Sequence, residues 1–299
     1  MKYQRRWGAL GLLLLACGSQ QAAPPPETPQ AVAAEAPTGA TALDAVLAKQ
    51  PDDIKSRYPQ RHPKEMMEFF GVQPGMTVVD TLPGPVWWTG ILLDYLGPNG
   101  KVVDADYSPE MWTKFGNYSP DPATKKTWVT DTVTKLNSAR GPEAAQVGAV
   151  QYGSVPDDHA GTVDVILVCR AMHHFMRLEA DGKYLTQALD DMKKLLKPGG
   201  IVGVEQHRAP ESHPDASTKG DRGYIKQSAV IAAFQAAGFE LVDKSEINAN
   251  PKDTRDHPFG VWTLPPTLQS AEKGEDPTFD KSKYLAIGES DRMTLKFVK

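Results

Sequence analysis

The chain has 299 residues, with 33 Lys and Arg against 37 Asp and Glu, a formal charge of −4. That balance, with no basic stripe, excludes the electrostatic footprint of a nucleic-acid binder. Only two cysteines occur, Cys17 and Cys169, too few for a disulfide framework.

The N-terminus opens with Lys2, Arg5 and Arg6, followed by the apolar run Trp7–Ala16. Ten residues are too short to span a bilayer but suit a signal-peptide core. Leu14-Leu15-Ala16-Cys17 resembles the bacterial lipobox. The resemblance implies that residues 1–16 are removed and that Cys17 is lipidated. Gly18 and Ser19 stand where a retention aspartate would keep the protein in the inner membrane, so the expectation is an exported, periplasmic outer-membrane lipoprotein. The alternatives are an ordinary secretory signal cut after Ala16 and a cytosolic protein with an apolar start. Residues 17–42 read as a disordered Pro/Ala-rich tether, lacking the large apolar residues a core needs. The rest, 43–299, is long enough for one large α/β domain. With Cys17 lipidated, Cys169 has no cysteine to pair with, and its apolar surroundings predict a buried, inert thiol.

In chain order, Pro63 opens a helix whose apolar side is Met66, Met67, Phe69 and Phe70, and Gly71 ends it. Met76–Thr81 is a strand, Leu82–Val86 a Pro/Gly loop, Trp87–Leu96 a helix, Gly97–Gly100 a turn and Lys101–Asp106 a second strand. Pro109–Phe115 follows as a helix, residues 122–139 as a polar helical stretch, and Val147–Gln151 as a short third strand. Val163–Cys169 is a near-continuous apolar strand of the kind covered on both faces. Leu185, Ala188, Leu189, Met192, Leu195 and Leu196 repeat at helical spacing, and Pro198-Gly199-Gly200 closes that helix. Ile201–Glu205 is a fifth strand. Ala229–Ala237 is a helix capped by Ser228 and closed by Gly238, and Phe239–Lys244 and Met293–Val298 are the last strands. This alternation predicts a doubly wound, mostly parallel sheet with helices on both faces. The segment 250–290 is too long for a hairpin and reads as a lid-like insertion or partner surface.

The unit over residues 76–106 is a strand, loop, helix and strand ending in a carboxylate, with Asp106 22 residues after Gly84. Such a unit holds the nucleoside end of a cofactor, with the acid on ribose hydroxyls. Asp106 has an alternative use as a cap for the next helix, although Ser108 is better placed. Asp80 is either a cofactor contact or a structural acid tying loop amides. Trp87 and Trp88 either pack against the sheet or face a cation.

The Asp80/Gly84 loop, Asp106-Tyr107-Ser108-Pro109-Glu110-Met111, Ala171-Met172-His173-His174-Phe175 and Leu196-Lys197-Pro198-Gly199-Gly200 resemble the class I, Rossmann-like S-adenosylmethionine-dependent methyltransferases. Arg61-His62-Pro63, Glu205-Gln206-His207-Arg208-Ala209-Pro210, residues 248–254, 260–266 and 284–293 resemble an exported subgroup of predicted methyltransferases. The resemblance implies a seven-stranded sheet with the last strand antiparallel and S-adenosylmethionine as cofactor. By it, the Leu82–Val86 loop with Asp80, Gly84 and Trp88 lies along the methionine part, Asp106 takes the ribose, and Ser154 lies near the adenine. The family loop has three spaced glycines; Leu82 and Val86 replace the first and third here, and Pro85 removes a donor.

Arg170, His173 and His174 leave the C-terminal end of the fourth strand, where ligands bind in open α/β sheets. Glu205 and His207, two apart on a strand, share a face. These five are the candidate catalytic residues, as general base or substrate contacts; a structural role and a metal site are the alternatives, and no residue is assigned to a metal. The expected function is exported methyl transfer to a small-molecule or envelope acceptor, with the membrane reached through the lipid anchor. The alternatives are a methyltransferase-like binding protein without catalysis and a metal-dependent enzyme on the same fold.

Overall fold

A computed structural model of the protein describes residues 39–299; the expected signal peptide, Cys17 and nearly all of the expected tether lie outside the described residues. Eight strands form the sheet: β1 Thr77–Thr81, β2 Lys101–Asp106, β3 Gln146–Gln151, β4 Val163–Cys169, β5 Leu196–Ala209, β6 Ile225–Lys226, β7 Glu240–Ser245 and β8 Arg292–Val298. Their order is β3-β2-β1-β4-β5-β8-β7, with the two-residue β6 beside β5. β1 to β5 run parallel, and β8 is antiparallel to both β5 and β7. Winding reverses between β1 and β4, so the crevice beyond their C-terminal ends is where a ligand is expected.

Alternate residues of the central strands feed two cores on opposite faces, as the strand period requires. Val79, Val103, Ile166 and Val168 pack on the helices Tyr184–Leu195 and Gln227–Ala236. Val78, Val102, Val165 and Leu167 pack on Gly39–Lys49, Pro63–Phe70 and Trp87–Leu96. Gly203 marks the closest approach of strand to helix: a Cβ there would lie 2.6 Å from the Phe70 ring.

Several boundaries differ from expectation for physical reasons. β5 extends far beyond Ile201–Glu205 because β8 pairs with it as far as His207 and β6 beyond that. The expected helix Pro109–Phe115 ends at Trp112 and continues as the 3-10 turn Thr113–Tyr118. Ser108 caps it, accepting from the Met111 amide at 3.1 Å. Ser228 does not cap the Gln227–Ala236 helix: its hydroxyl and amide both donate to Glu211, which serves that helix end from outside. Cys169 is a buried free thiol, and burial pushes it well above its ordinary value. Within 250–290, buried Asp253 gathers the Tyr224 hydroxyl, the Asp291 amide and His257 at 2.8–3.0 Å. None of the described helices is long and apolar enough to cross a membrane.

Candidate functional site

The turn after β1 places Leu82, Gly84 and Val86 at φ 56°, 53° and 57°. Glycine adopts this left-handed state freely; leucine and a β-branched valine do so at a cost of roughly 1–2 kcal/mol each. Arg170, at the end of neighbouring β4, is left-handed as well, at φ 58°. Strained residues thus flank the crevice where the winding reverses, and the backbone keeps the bend that glycine would give.

Beneath the turn, Asp80 and Asp104 are direct neighbours in the β1–β2 register. The Thr89 hydroxyl lies 2.9 Å from Asp80 and 2.8 Å from Asp104, and the Thr89 amide donates to Asp80 at 3.0 Å. One hydroxyl proton serves only one carboxylate, so the second contact needs a protonated carboxyl donating to Thr89. Burial, and then the Asp104 charge, raises Asp80; burial also raises Asp104. Asp80 therefore ties down the start of the Trp87–Leu96 helix through Thr89.

Asp106 is buried at the tip of β2. Its Oδ1 accepts from the Tyr107 amide at 2.8 Å and the Trp112 indole at 3.0 Å, and its Oδ2 from Lys125 Nζ at 2.6 Å. Lys125 also lies 4.2 Å from the Trp112 ring, and its carbonyl accepts from Gln151, fixing the segment over the carboxylate. Burial raises Asp106 despite this ion pair. Ser154 is exposed after β3 and donates to the Gln151 carbonyl at 3.3 Å. Trp88 packs edge-on against Trp87 in the apolar cluster, while the Arg61 guanidinium stacks on Trp87 at 4.9 Å.

Three histidines line up, His173 and His174 beyond β4 and His207 near the end of β5, with ring centroids 3.9 Å apart for His174–His173 and 5.5 Å for His173–His207. The Gln206 amide nitrogen donates to the Gly223 carbonyl at 2.9 Å, which turns Oε1 toward His173 Nδ1 at 3.3 Å. Nδ1 therefore carries the His173 proton, and Nε2 keeps its lone pair. The buried Tyr107 hydroxyl has His174 Nδ1, at 2.9 Å, as its hydrogen-bond partner among the described residues. Donating there leaves the His174 proton on Nε2, so the adjacent rings have opposite polarity. His207 Nδ1 meets the Ser290 hydroxyl at 2.5 Å. Burial holds His173 down to about 4 and places His174 and His207 well below the usual imidazole value.

Glu205 does not join the histidines. Its carboxylate is 2.9 Å from Arg292 Nε and 3.8 Å from Arg170. Glu289 in turn takes Arg292 at 2.5 Å, Arg61 and Arg57 at 3.0 Å, and Arg170 at 3.5 Å. Burial opposes the Glu289 charge, but Arg292, Arg61 and Arg170 hold its carboxyl at about 2. With Glu205 among arginines and His207 on Ser290, no metal-binding group of three or more His, Cys, Asp or Glu exists among the described residues.

A cavity of about 1160 Å³ opens beside His174. Trp112 and Phe115 form one wall, Phe259 and Trp262 of the 250–290 segment another, and Arg177 lies on the helix Met172–Arg177 that also carries His174. Lys125, Arg177, Tyr107, Trp262 and Gln206 were not singled out in the sequence. Arg177 follows His174 by one helical turn, Tyr107 follows Asp106 and Gln206 lies between Glu205 and His207, all spacings visible in the sequence; Lys125 and Trp262 are joined to the site only by tertiary contacts.

No family profile matches the chain, and no curated protein matches it. Solved structures do. The [4+2]-cyclase SpnF is 14% identical, over 80% of this chain and 81% of that one, with a TM-score of 0.51. A geranyl diphosphate C-methyltransferase from Streptomyces coelicolor A3(2) is 11% identical over 85% and 87%, at 0.49. A SAM-dependent methyltransferase from Aquifex aeolicus is 20% identical over 67% and 93%, at 0.44. At 14% identity the SpnF likeness shows the fold alone: a Rossmann-like, mostly parallel sheet with its final strand antiparallel.

Proposed function

We propose that this protein is an S-adenosylmethionine-dependent methyltransferase that acts on a small-molecule acceptor held in the cavity beside His174. The observation that carries this reading is the turn after β1, which holds its left-handed bend at Leu82 and Val86 without the glycines that make it easy. Strain of this kind persists where the surroundings impose it, and it gathers at ligand sites. The cofactor would supply an electrophilic methyl group. Asp106 would hold the ribose hydroxyls once Lys125 moves aside, and the 82–86 backbone, with Asp80 beneath it, would border the methionine part. Ser154 lies on the rim beyond β3. Fit thus requires Oδ2 to give up Lys125 and Oδ1 to be shared with the Tyr107 amide and the Trp112 indole.

The residues of the chain then have distinct tasks. His173, buried beside His174 and off the cavity lining, keeps an Nε2 lone pair that would take a proton from an acceptor hydroxyl or amine reaching past the cavity wall. His174 Nε2–H donates, orienting the acceptor. Arg170 stands at the crevice with its longer ion pairs and can meet a carboxylate of either ligand. The Glu205–Arg292–Glu289 network and the His207–Ser290 pair fix the β5–β8 pairing behind them. The export signal and lipidation at Cys17 belong to the same proposal and would place the enzyme in the periplasm at the outer membrane.

Calorimetric titration with S-adenosylmethionine and S-adenosylhomocysteine tests the reading. Saturable binding abolished by Asp106→Ala supports it; no binding at millimolar ligand refutes it. One observation favours a second reading, a binding protein without methyl transfer: Asp106 already has Lys125, Trp112 and the Tyr107 amide as partners. The name of SpnF, a cyclase, likewise cautions that a fold does not fix a reaction.

A further inference from the structure

Arg177 is the unexplained cation of the cavity. Its guanidinium rests on the Phe115 ring at 5.4 Å, and among the described residues no carboxylate or carbonyl accepts from it. Its Nε is buried without a hydrogen-bond partner. A buried donor left unsatisfied is costly, and charged groups more so. Arg222, by contrast, is spent on the His257 and Pro258 carbonyls. The cavity acids Asp181, Asp221, Glu272 and Glu275 are all exposed, at the rim.

We infer that Arg177 is the anchor for the carboxylate of a planar aromatic acid, whose ring system lies between the Trp112/Phe115 and Phe259/Trp262 walls. The guanidinium fork matches a planar carboxylate through two parallel hydrogen bonds. A dianionic phosphate would meet the acidic rim, and the other cations lining the cavity are the exposed Lys114 and Arg222, the latter already spent on carbonyls. The aromatic walls favour a flat apolar body, and the volume admits a molecule of two or more rings. His174 and Arg177 are three apart on one helix and so share a face. A carboxylate on Arg177 therefore brings the ring of its bearer alongside His174. This inference deepens the proposed function by naming the class of acceptor, but the binding it describes needs no cofactor.

The test uses 2-naphthoate, its neutral analogue 2-naphthamide and tryptophan fluorescence, since Trp112 and Trp262 line the cavity. No S-adenosylmethionine is added, so the outcome is separate from that of the calorimetric titration. The naphthoate should bind saturably and at least tenfold more tightly than the amide. Arg177→Met should erase that preference, and Arg177→Lys should retain part of it, an ammonium being a point charge without the fork. Circular dichroism checks that each variant is folded, and if the methionine variant is not, the lysine variant carries the comparison. Equal binding of acid and amide, an unchanged preference in the folded variant, or no saturable binding of 2-naphthoate would overturn the inference.

Discussion

Lys125 holds Asp106: its ammonium nitrogen is 2.6 Å from Oδ2, on the carboxylate expected to take ribose hydroxyls. Lys125→Met would leave a buried carboxylate without its cation, a change that costs about 3–5 kcal/mol in well-buried pairs. The loss should be large at pH 8 and small at pH 5. Burial already raises Asp106, and without Lys125 it rises further. The folded state then binds the proton that the unfolded state releases, so stability falls as pH climbs above the ordinary carboxylate range. Urea unfolding at the two pH values measures this. On the proposed function, the same variant binds S-adenosylhomocysteine more tightly, because no ammonium competes for the carboxylate.

Val86 at φ 57° sets up a reversal of the usual order of small residues. In an ordinary element interior, alanine is more stable than glycine by about 0.5–1 kcal/mol. In the left-handed region the Cβ is itself the source of strain. Both Val86→Gly and Val86→Ala give up the half-buried side chain, but only glycine relieves the backbone. The glycine variant should therefore be more stable than the alanine variant by about 1 kcal/mol, read from urea midpoints. The opposite order would mean that the turn is not left-handed.

Asp104→Asn should make the protein more stable at pH 8 and leave it little changed at pH 5. An asparagine amide can donate to the Thr89 hydroxyl, freeing the threonine proton for Asp80. In the wild type both carboxyls are raised, so the folded state holds a proton above the ordinary carboxylate range and loses stability as pH rises. Removing one acid should flatten that slope by up to about 1.4 kcal/mol per pH unit. Thermal melts across pH 5–8 decide it, and an unchanged slope would show that the dyad shares no proton.

The central sheet was legible because parallel strands covered on both faces must be apolar throughout, as Val163–Cys169 is. Asp106 was legible from its distance to Gly84 along a unit of fixed length. Lys125 was not: it reads as one more charge in a polar helical stretch, and only the fold lays it over the carboxylate. The Arg61–Glu289 pair joins residues 228 apart, and no local pattern encodes such a partner. Ser228 sat in a good capping position, yet Glu211, brought in by the β5–β6 connection, took its hydroxyl and amide instead. Nothing local marks Arg177; only the fold sets it among Trp112, Phe115, Phe259 and Trp262.

His207 gives the last prediction. It is half-buried, and its value is held well below 6.5 by burial, then by neighbouring His173 and the Arg292 and Arg170 charges. A depressed histidine contributes stability that is complete above the unfolded value and is lost as pH falls through the window below it, because the unfolded chain takes up a proton that the folded one refuses. His207→Asn keeps a polar atom toward Ser290 and removes the titration. At pH 7 the variant should be less stable than the wild type, having lost the ring contact with His173. Between pH 6.5 and 5 the gap should close by up to about 1.4 kcal/mol per pH unit, the linkage of one proton. Urea unfolding of both proteins at pH 7, 6 and 5 measures the gap; a constant difference would mean that His207 takes up its proton in the folded protein as it does in the unfolded chain.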